Sequence, residues 1–237
     1  MDLPKISLCM VVYNTSNEVK HIIDFLKEHQ LISQVVLVDQ GSTEEHQKRF
    51  KEISDIYILT TNKGNADYDR QFCYSLSNGE FILAMDSDEW ILEEDIQKIK
   101  NLFKYNFDVA WLKFKNRVTY DTQIVELDDL LGIDPHPRLW RKMVSIGGQP
   151  QPTMMWTSEA HQFPQILSEK QIFAEIEFQH NRLLVNVIKT HLRRGRNISP
   201  QAQENEKQFL RALIAKFTIE VKKQVSLNFP ELKKYLG

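Results

Sequence analysis

The sequence predicts an α/β fold, an open and mostly parallel sheet flanked by helices, and three observations predict it. Within the first 105 residues, apolar runs alternate four times with amphipathic helical patterns, the order that right-handed crossovers between parallel strands produce. The runs are nearly unbroken, as in strands covered on both faces. Each run ends in a polar turn, and in such sheets ligands bind outside the carboxyl ends of the strands.

The elements follow in order. Residues 6–13, ISLCMVVY, read as the first strand, 14–17 supply capping residues, and 18–29 form a helix with Val19, Ile22, Ile23 and Leu26 on one side. QVVLVD at 34–39 is the second strand, GST its turn, and 43–52 a charged helix. DIYILTT at 55–61 is the third strand, NKGN its turn, and 66–77 a helix; EFILAMD at 80–86 is the fourth strand, followed by a helix over 93–105. Beyond that, VAWLKFKNRVTY at 109–120 alternates as a strand, 127–165 reads as loops with short strands, and EIEFQH at 175–180 is a last strand. From 203 to 225, Phe209, Leu210, Leu213, Ile214, Phe217, Val221 and Val225 recur at helical spacing, which predicts one amphipathic helix. The expected organisation is a domain over 1–190, in two halves (1–106 and 107–190), and a basic helical extension over 191–237.

Length and composition fit a soluble globular protein: 237 residues, 42% apolar and 26% charged. The chain has no apolar run long enough for a transmembrane helix, and MDLPKISLCMVVYN lacks a signal-peptide pattern. Cys9 and Cys73 have no metal-ligand spacing, so reduced core thiols in a cytoplasmic protein are expected. The net charge of −2 conceals a gradient. Residues 180–237 hold 12 Lys+Arg against 4 Asp+Glu, whereas the preceding residues hold 18 against 28. A basic tail of this kind reads either as a solvated helical face or as a surface for anionic partners, including membrane lipid. No GxGxxG follows the first strand, which argues against a Rossmann dinucleotide site, and no nucleic-acid recognition motif accompanies the basic tail.

The chemistry concentrates in FILAMDSDEW, 81–90, where an apolar strand runs into Asp86, Asp88 and Glu89. These acids repel one another unless they cap the following helix or hold a divalent cation, Mg2+ or Mn2+, which prefers oxygen ligands and leaves positions for substrate phosphates. Asn14, the DQGST turn and the NKGN turn are expected on the same edge.

In this order and at these spacings, ISLCMVVYN, VVLVDQGST, NKGN with Arg70-Gln71, and GEFILAMDSDE resemble family 2 glycosyltransferases of the GT-A fold. The branch that includes bacterial lipopolysaccharide-core glucosyltransferases is the most similar. The resemblance implies that Val12, Tyr13 and Asn14 pack near the nucleotide and that Asp39 contacts base and ribose. Gln40 stands where the family has a second aspartate. Lys63 and Arg70 are then expected to face the donor phosphates. Asp86 and Asp88 match the DxD metal and diphosphate clamp, with Glu89 as an additional acid. His180 matches a later family histidine, a candidate third metal ligand, and Arg182 a family arginine. RLW at 138–140 resembles a family RLFRR segment. The family's His-Glu pair reads His161-Gln162 here, so the base is left among Glu159, His161 and another residue such as Asp128 or Asp129.

The implied activity is metal-dependent inverting transfer from a nucleotide-sugar, a UDP-sugar first, to a saccharide or lipid-linked acceptor. The alternatives are a non-catalytic nucleotide-sugar or saccharide-binding module on the same scaffold, and a nucleotidyltransferase. Peripheral membrane contact through the basic helix and a homodimer are further expectations.

Overall fold

The computed structural model describes residues 3–61, 66–127, 135–155, 165–194 and 200–232. The chain forms two compact units, residues 1–113 with 135–178, and residues 114–134 with 179–237. Residue 106, where the two halves were expected to divide, lies inside the first unit, and residue 190 lies inside a helix of the second.

The first unit opens with β1 (Ile6–Val12), α1 (Ser16–Glu28), β2 (Gln34–Asp39), α2 (Glu44–Ile53), β3 (Ile56–Leu59), α3 (Ala66–Leu76) and β4 (Phe81–Ala84). β1, β2 and β4 are almost wholly buried, as their apolar runs predict. Each large apolar side chain so covered contributes about 1.5–3 kcal/mol. α1 buries Val19, Ile22, Ile23 and Leu26, the predicted stripe. It stops because Gln30 turns left-handed (φ 53°), so that Leu31 N–H bonds to Leu26 C=O and Gln30 N–H to Lys27 C=O, a Schellman end.

After β4 come β5 (Glu89–Ile91) and α4 (Glu93–Leu102), then β6 (Val109–Tyr120), β7 (Gln123–Glu126), β8 (His136–Arg141) and β9 (Met143–Ile146). β10 (Gln149–Pro152), β11 (Met154–Met155), β12 (Gln165–Ile166) and β13 (Gln171–Leu183) complete the strands. Among the described residues the main sheet runs β3-β2-β1-β4-β8-β6-β13-β5. β1 pairs in parallel with β2 and β4, and β2 with β3, whereas β8 is antiparallel to both β4 and β6. Between the sheet and α3, Cys9, Val36, Val38, Cys73, Tyr74, Ile82, Val109 and Trp140 form one apolar cluster. Both cysteines are free and buried, as expected.

The second unit contains the far ends of β6 and β13, the β6–β7 hairpin, and α5 (Leu184–Arg194), α6 (Pro200–Ala215) and α7 (Ile219–Asn228). The predicted single helix over 203–225 is therefore two. The break has a local cause: the Thr218 side chain accepts the Val221 N–H and so caps a new helix, while Gln123 Nε2 donates to its hydroxyl at 2.8 Å. The apolar stripe is buried within this unit, where Leu210, Leu213, Ile214, Phe217, Val221 and Val225 pack with Val118, Leu127, Leu184 and Ile188. Laying that stripe in a membrane would require opening this core. No helix among the described residues is long and apolar enough to cross a membrane.

Candidate active site

Parallel pairing sets the site. Val12 lies opposite Asp39, Asp39 opposite Leu59, and Cys9 opposite Ala84. The turns after β1, β2 and β4 therefore share one rim at the carboxyl ends of the strands. The NKGN turn, with Lys63, lies outside the described residues.

The first two turns are knitted together. Asn14 adopts φ 52°, a conformation that asparagine tolerates better than most residues. Its backbone N–H donates to Ser42 Oγ at 2.8 Å, and its side-chain oxygen accepts Thr43 N–H at 2.9 Å. Val12, at the end of β1, is buried, and Tyr13 beside it is 51% exposed on the rim. Asp39, expected to meet base and ribose, is completely buried. Its Oδ1 accepts the Ser42 N–H at 2.9 Å and the Ser42 hydroxyl at 2.6 Å, and its Oδ2 accepts the Tyr57 hydroxyl at 2.8 Å. Burial and then the bond to Asp39 push the Tyr57 phenol up, keeping it a donor. Asp39 thus holds the shape of the DQGST turn, which reverses through Gly41 at φ 87°.

Gln40 also has a carboxylate partner. Its Nε2 donates to Oδ2 of the buried Asp69 at 2.7 Å, and Thr60 Oγ1 reaches the same oxygen at 3.3 Å. The negative charge absent at position 40 is present one layer back, on α3.

At the end of β4, Asp86 is half-buried and Asp88 exposed. The turn closes on itself: Asp86 N–H donates to Glu89 Oε2 at 2.9 Å, and Glu89 N–H to Asp86 C=O at 3.1 Å. Arg70 Nη2, from α3, lies 3.0 Å and 3.2 Å from the two Asp86 oxygens. Arg138, from β8, reaches Asp86 Oδ2 at 3.5 Å and pairs directly with Glu89. Glu89 is therefore the first residue of a buried strand, not a first-turn helix acid. Burial pushes its carboxyl up to about 8, opposed by Arg138 and reinforced by Asp86. For Arg138, burial pulls downward, but Glu89 and Asp86 carry the guanidinium above its ordinary value.

Arg138 is the functional candidate that the sequence did not single out. Its only signal is the RLW segment, because β8 meets β4 by an antiparallel pairing with no counterpart in local spacing. Among the described residues no group of three His, Cys, Asp or Glu is gathered as a metal site. Asp86 and Asp88 supply hard oxygen donors on an accessible rim, and two cations beside Asp86 show that the pocket is built around compensated negative charge. This donor set suits a small divalent ion that retains water or phosphate ligands.

His180, in the second unit, is 7% exposed. Its Nδ1 is 3.0 Å from Asn116 Oδ1, and Arg182 Nε donates to its Nε2 at 2.9 Å. Because Arg182 can only donate, Nε2 carries the lone pair and Nδ1 the proton. Glu159, His161, Asp128 and Asp129 lie outside the described residues.

The family model "Glycosyl transferase family 2" matches residues 7–152. An uncharacterized glycosyltransferase of Haemophilus influenzae is 27% identical over 113 residues, 45% of either chain. The chain thus spans about half the length of this curated relative. Among solved structures, S. aureus TarS 1-349 is similar at TM-score 0.47 and 14% identity, covering 93% of this chain and 69% of that one. The mannosyltransferase PcManGT from Pyrobaculum calidifontis, in complex with GDP-Man and Mn2+, is similar at TM-score 0.40 and 15% identity, covering 47% of this chain and 36% of that one. With a rim of three converging strand ends and a family match across more than half its length, this chain belongs to glycosyl transferase family 2.

Proposed function

We propose that the chain is a metal-dependent, inverting glycosyltransferase that moves a sugar from a nucleotide-diphosphate donor, a UDP-sugar first, to a saccharide or lipid-linked acceptor. The setting we propose is surface polysaccharide or glycan biosynthesis at the cytoplasmic face of a membrane, within or near the lipopolysaccharide-core branch. The observation that carries this reading is the meeting of the Asn14 turn, the Asp39 turn, Arg70 and the Asp86–Asp88 turn on one rim.

In this reading Asp86 and Asp88 hold Mn2+ or Mg2+, which when bound supplies Lewis-acid neutralisation of the leaving diphosphate. Arg70 and Arg138 balance the Asp86 charge beforehand. Arg70 then turns toward the donor phosphates, where a guanidinium forms strong charge-assisted bonds, and Lys63 shares that task. The backbone between Val12 and Asn14 and the Gly41 turn receive the nucleoside. Glu159, with His161 as the second choice, takes the acceptor proton as its oxygen attacks the anomeric carbon. Basic residues of the C-terminal helices, rather than their buried apolar stripe, make any contact with anionic lipid.

The test is a thermal-shift panel of nucleoside diphosphates and their sugars, with and without Mn2+, on wild type and Asp88→Ala. Stabilisation should need both nucleotide and Mn2+ and should vanish in the variant; equal stabilisation of both proteins removes the metal clamp. Donor hydrolysis or transfer that disappears in Asp86→Asn separates a transferase from a binding module.

A further inference from the structure

The same face of the sheet carries an exposed aromatic pair with no part in the donor site. Trp111 on β6 and Phe173 on β13 stand with ring centroids 5.6 Å apart and planes inclined by 15°. Phe173 is 72% exposed. Trp111 is half-buried, with one side against the cluster containing Tyr74 and Trp140. Its indole N–H donates to Gln171 Oε1 at 2.8 Å, which fixes the tilt of the ring. Two residues further along the same strands, Lys113 and Glu175 form an ion pair. The platform is therefore flat, apolar and held in place, with a rim that is polar and without net charge.

Its placement follows from strand register. β4 and β6 both run antiparallel to β8, with Leu139 opposite Leu83 on one side and Ala110 on the other. Asp86 lies three residues past this row, and Trp111 lies one residue past it in the same direction, just after a bulge at Ala110/Trp111. Two strand spacings, about 10 Å, separate β4 from β6. The face is shared as well: Tyr74 belongs to α3, the helix from which Arg70 reaches Asp86.

We infer that Trp111 and Phe173 form a stacking platform for the saccharide acceptor, an inference that rests on the transferase reading above. The C–H faces of a pyranose ring lose little by leaving water and gain contact with a flat aromatic surface. Hydroxyls at the edge of the same sugar meet the amide of Gln171 and the ion pair of Lys113 and Glu175, which both donate and accept. An uncharged glycan matches a rim of zero net charge. A protein partner of ordinary size covers about 800 Å² per side, whereas the charged pair interrupts the apolar surface here. The distance to Asp86 is within the span of a short oligosaccharide whose terminal sugar reaches the donor.

The experiment uses the full chain and an array of neutral tri- to hexasaccharides of hexoses and N-acetylhexosamines, with affinities read by isothermal titration calorimetry. At least one glycan should bind, and Phe173→Ala and Trp111→Ala should each weaken it by about tenfold or more. Trp111→Phe, which keeps a ring, should retain most of the binding. Stabilisation by UDP with Mn2+ should be the same in all four proteins, which also shows that the variants fold. Should glycan binding depend on the two rings while no nucleotide stabilises the wild type, the platform stands and the transferase reading falls. The platform is overturned if a nucleotide-binding wild type captures no glycan, or if Phe173→Ala binds as wild type does. It is equally overturned if sedimentation shows that Phe173→Ala converts a dimer to monomers, because the face is then a contact between two copies.

Discussion

Arg138, on β8, and Glu89, the first residue of β5, form a buried ion pair directly behind Asp86. A pair of this kind is costly to break from one side, because the remaining partner is left in a poorly solvated place. Measured above about pH 8, where Glu89 is ionised, Arg138→Met should destabilise the fold by about 3–5 kcal/mol. Arg138→Met with Glu89→Leu should recover a large part of that loss. Urea denaturation of the two single variants and the double variant gives the cycle, and additive losses would show that the pair is not coupled.

The carboxyl of Glu89 predicts a pH dependence. Burial first, with Asp86 adding to it, raises it from 4.5 to about 8. In that window the folded chain keeps a proton that the unfolded chain releases. The stabilisation from this group is therefore complete below pH 4.5 and is lost as the pH rises through about 8. In chelator-treated protein, the Tm of wild type should fall relative to Glu89→Gln between about pH 5 and 8. A constant difference between the two across that range contradicts the shift.

On the proposed metal site, Arg70 is set to compete with the cation for Asp86, since its Nη2 lies 3.0 Å and 3.2 Å from the two carboxylate oxygens. Both groups are partly exposed, so the contact contributes about 1 kcal/mol or less. Arg70→Ala should bind Mn2+ alone up to about fivefold more tightly and nucleoside diphosphate with Mn2+ more weakly. Mn2+ electron paramagnetic resonance and calorimetry measure the two affinities. Losses of both together would assign Arg70 to the fold of the turn.

Gln40 and Asp69 make a directional prediction about a two-residue exchange. With Asp69 Oδ2 2.7 Å from the amide nitrogen, Gln40→Glu sets one carboxylate against another that is fully buried. The expected cost is about 1–3 kcal/mol, or uptake of a proton by the pair. Gln40→Glu with Asp69→Asn should return stability toward wild type, as read from Tm.

Much of the first 106 residues is legible in the sequence because β1, β2 and β4 are buried on both faces. Unbroken runs such as VVLVD leave little choice of element, and a polar residue ending each run locates the rim. Asp39 and Asp86 reach that rim as the strand pattern implies, although Asp39 faces inward; Arg70, expected there from the family resemblance, pairs with Asp86. What spacing does not carry are pairings between distant strands and helices. Arg138 meets Glu89 across 49 residues, and Asp69 meets Gln40 across 29. Neither partner follows from local pattern. The helical periodicity over 203–225 is present in the structure, but a capping threonine divides it, and a threonine inside an amphipathic stripe is compatible with both readings. Glu89 reads as a helix-start acid because β5, only three residues long, is too short to leave a periodic signature.

The core of the second unit bears on how this polypeptide tolerates shortening. Judged by charge alone, the basic segment after residue 190 resembles a removable appendage. Yet Leu210, Leu213, Ile214, Phe217 and Val225 cover Val118, Leu127, Leu184 and Ile188. A protein ended at 190 would present those four side chains to water as one sticky surface, so deletion of the tail should yield aggregates rather than a trimmed, folded chain.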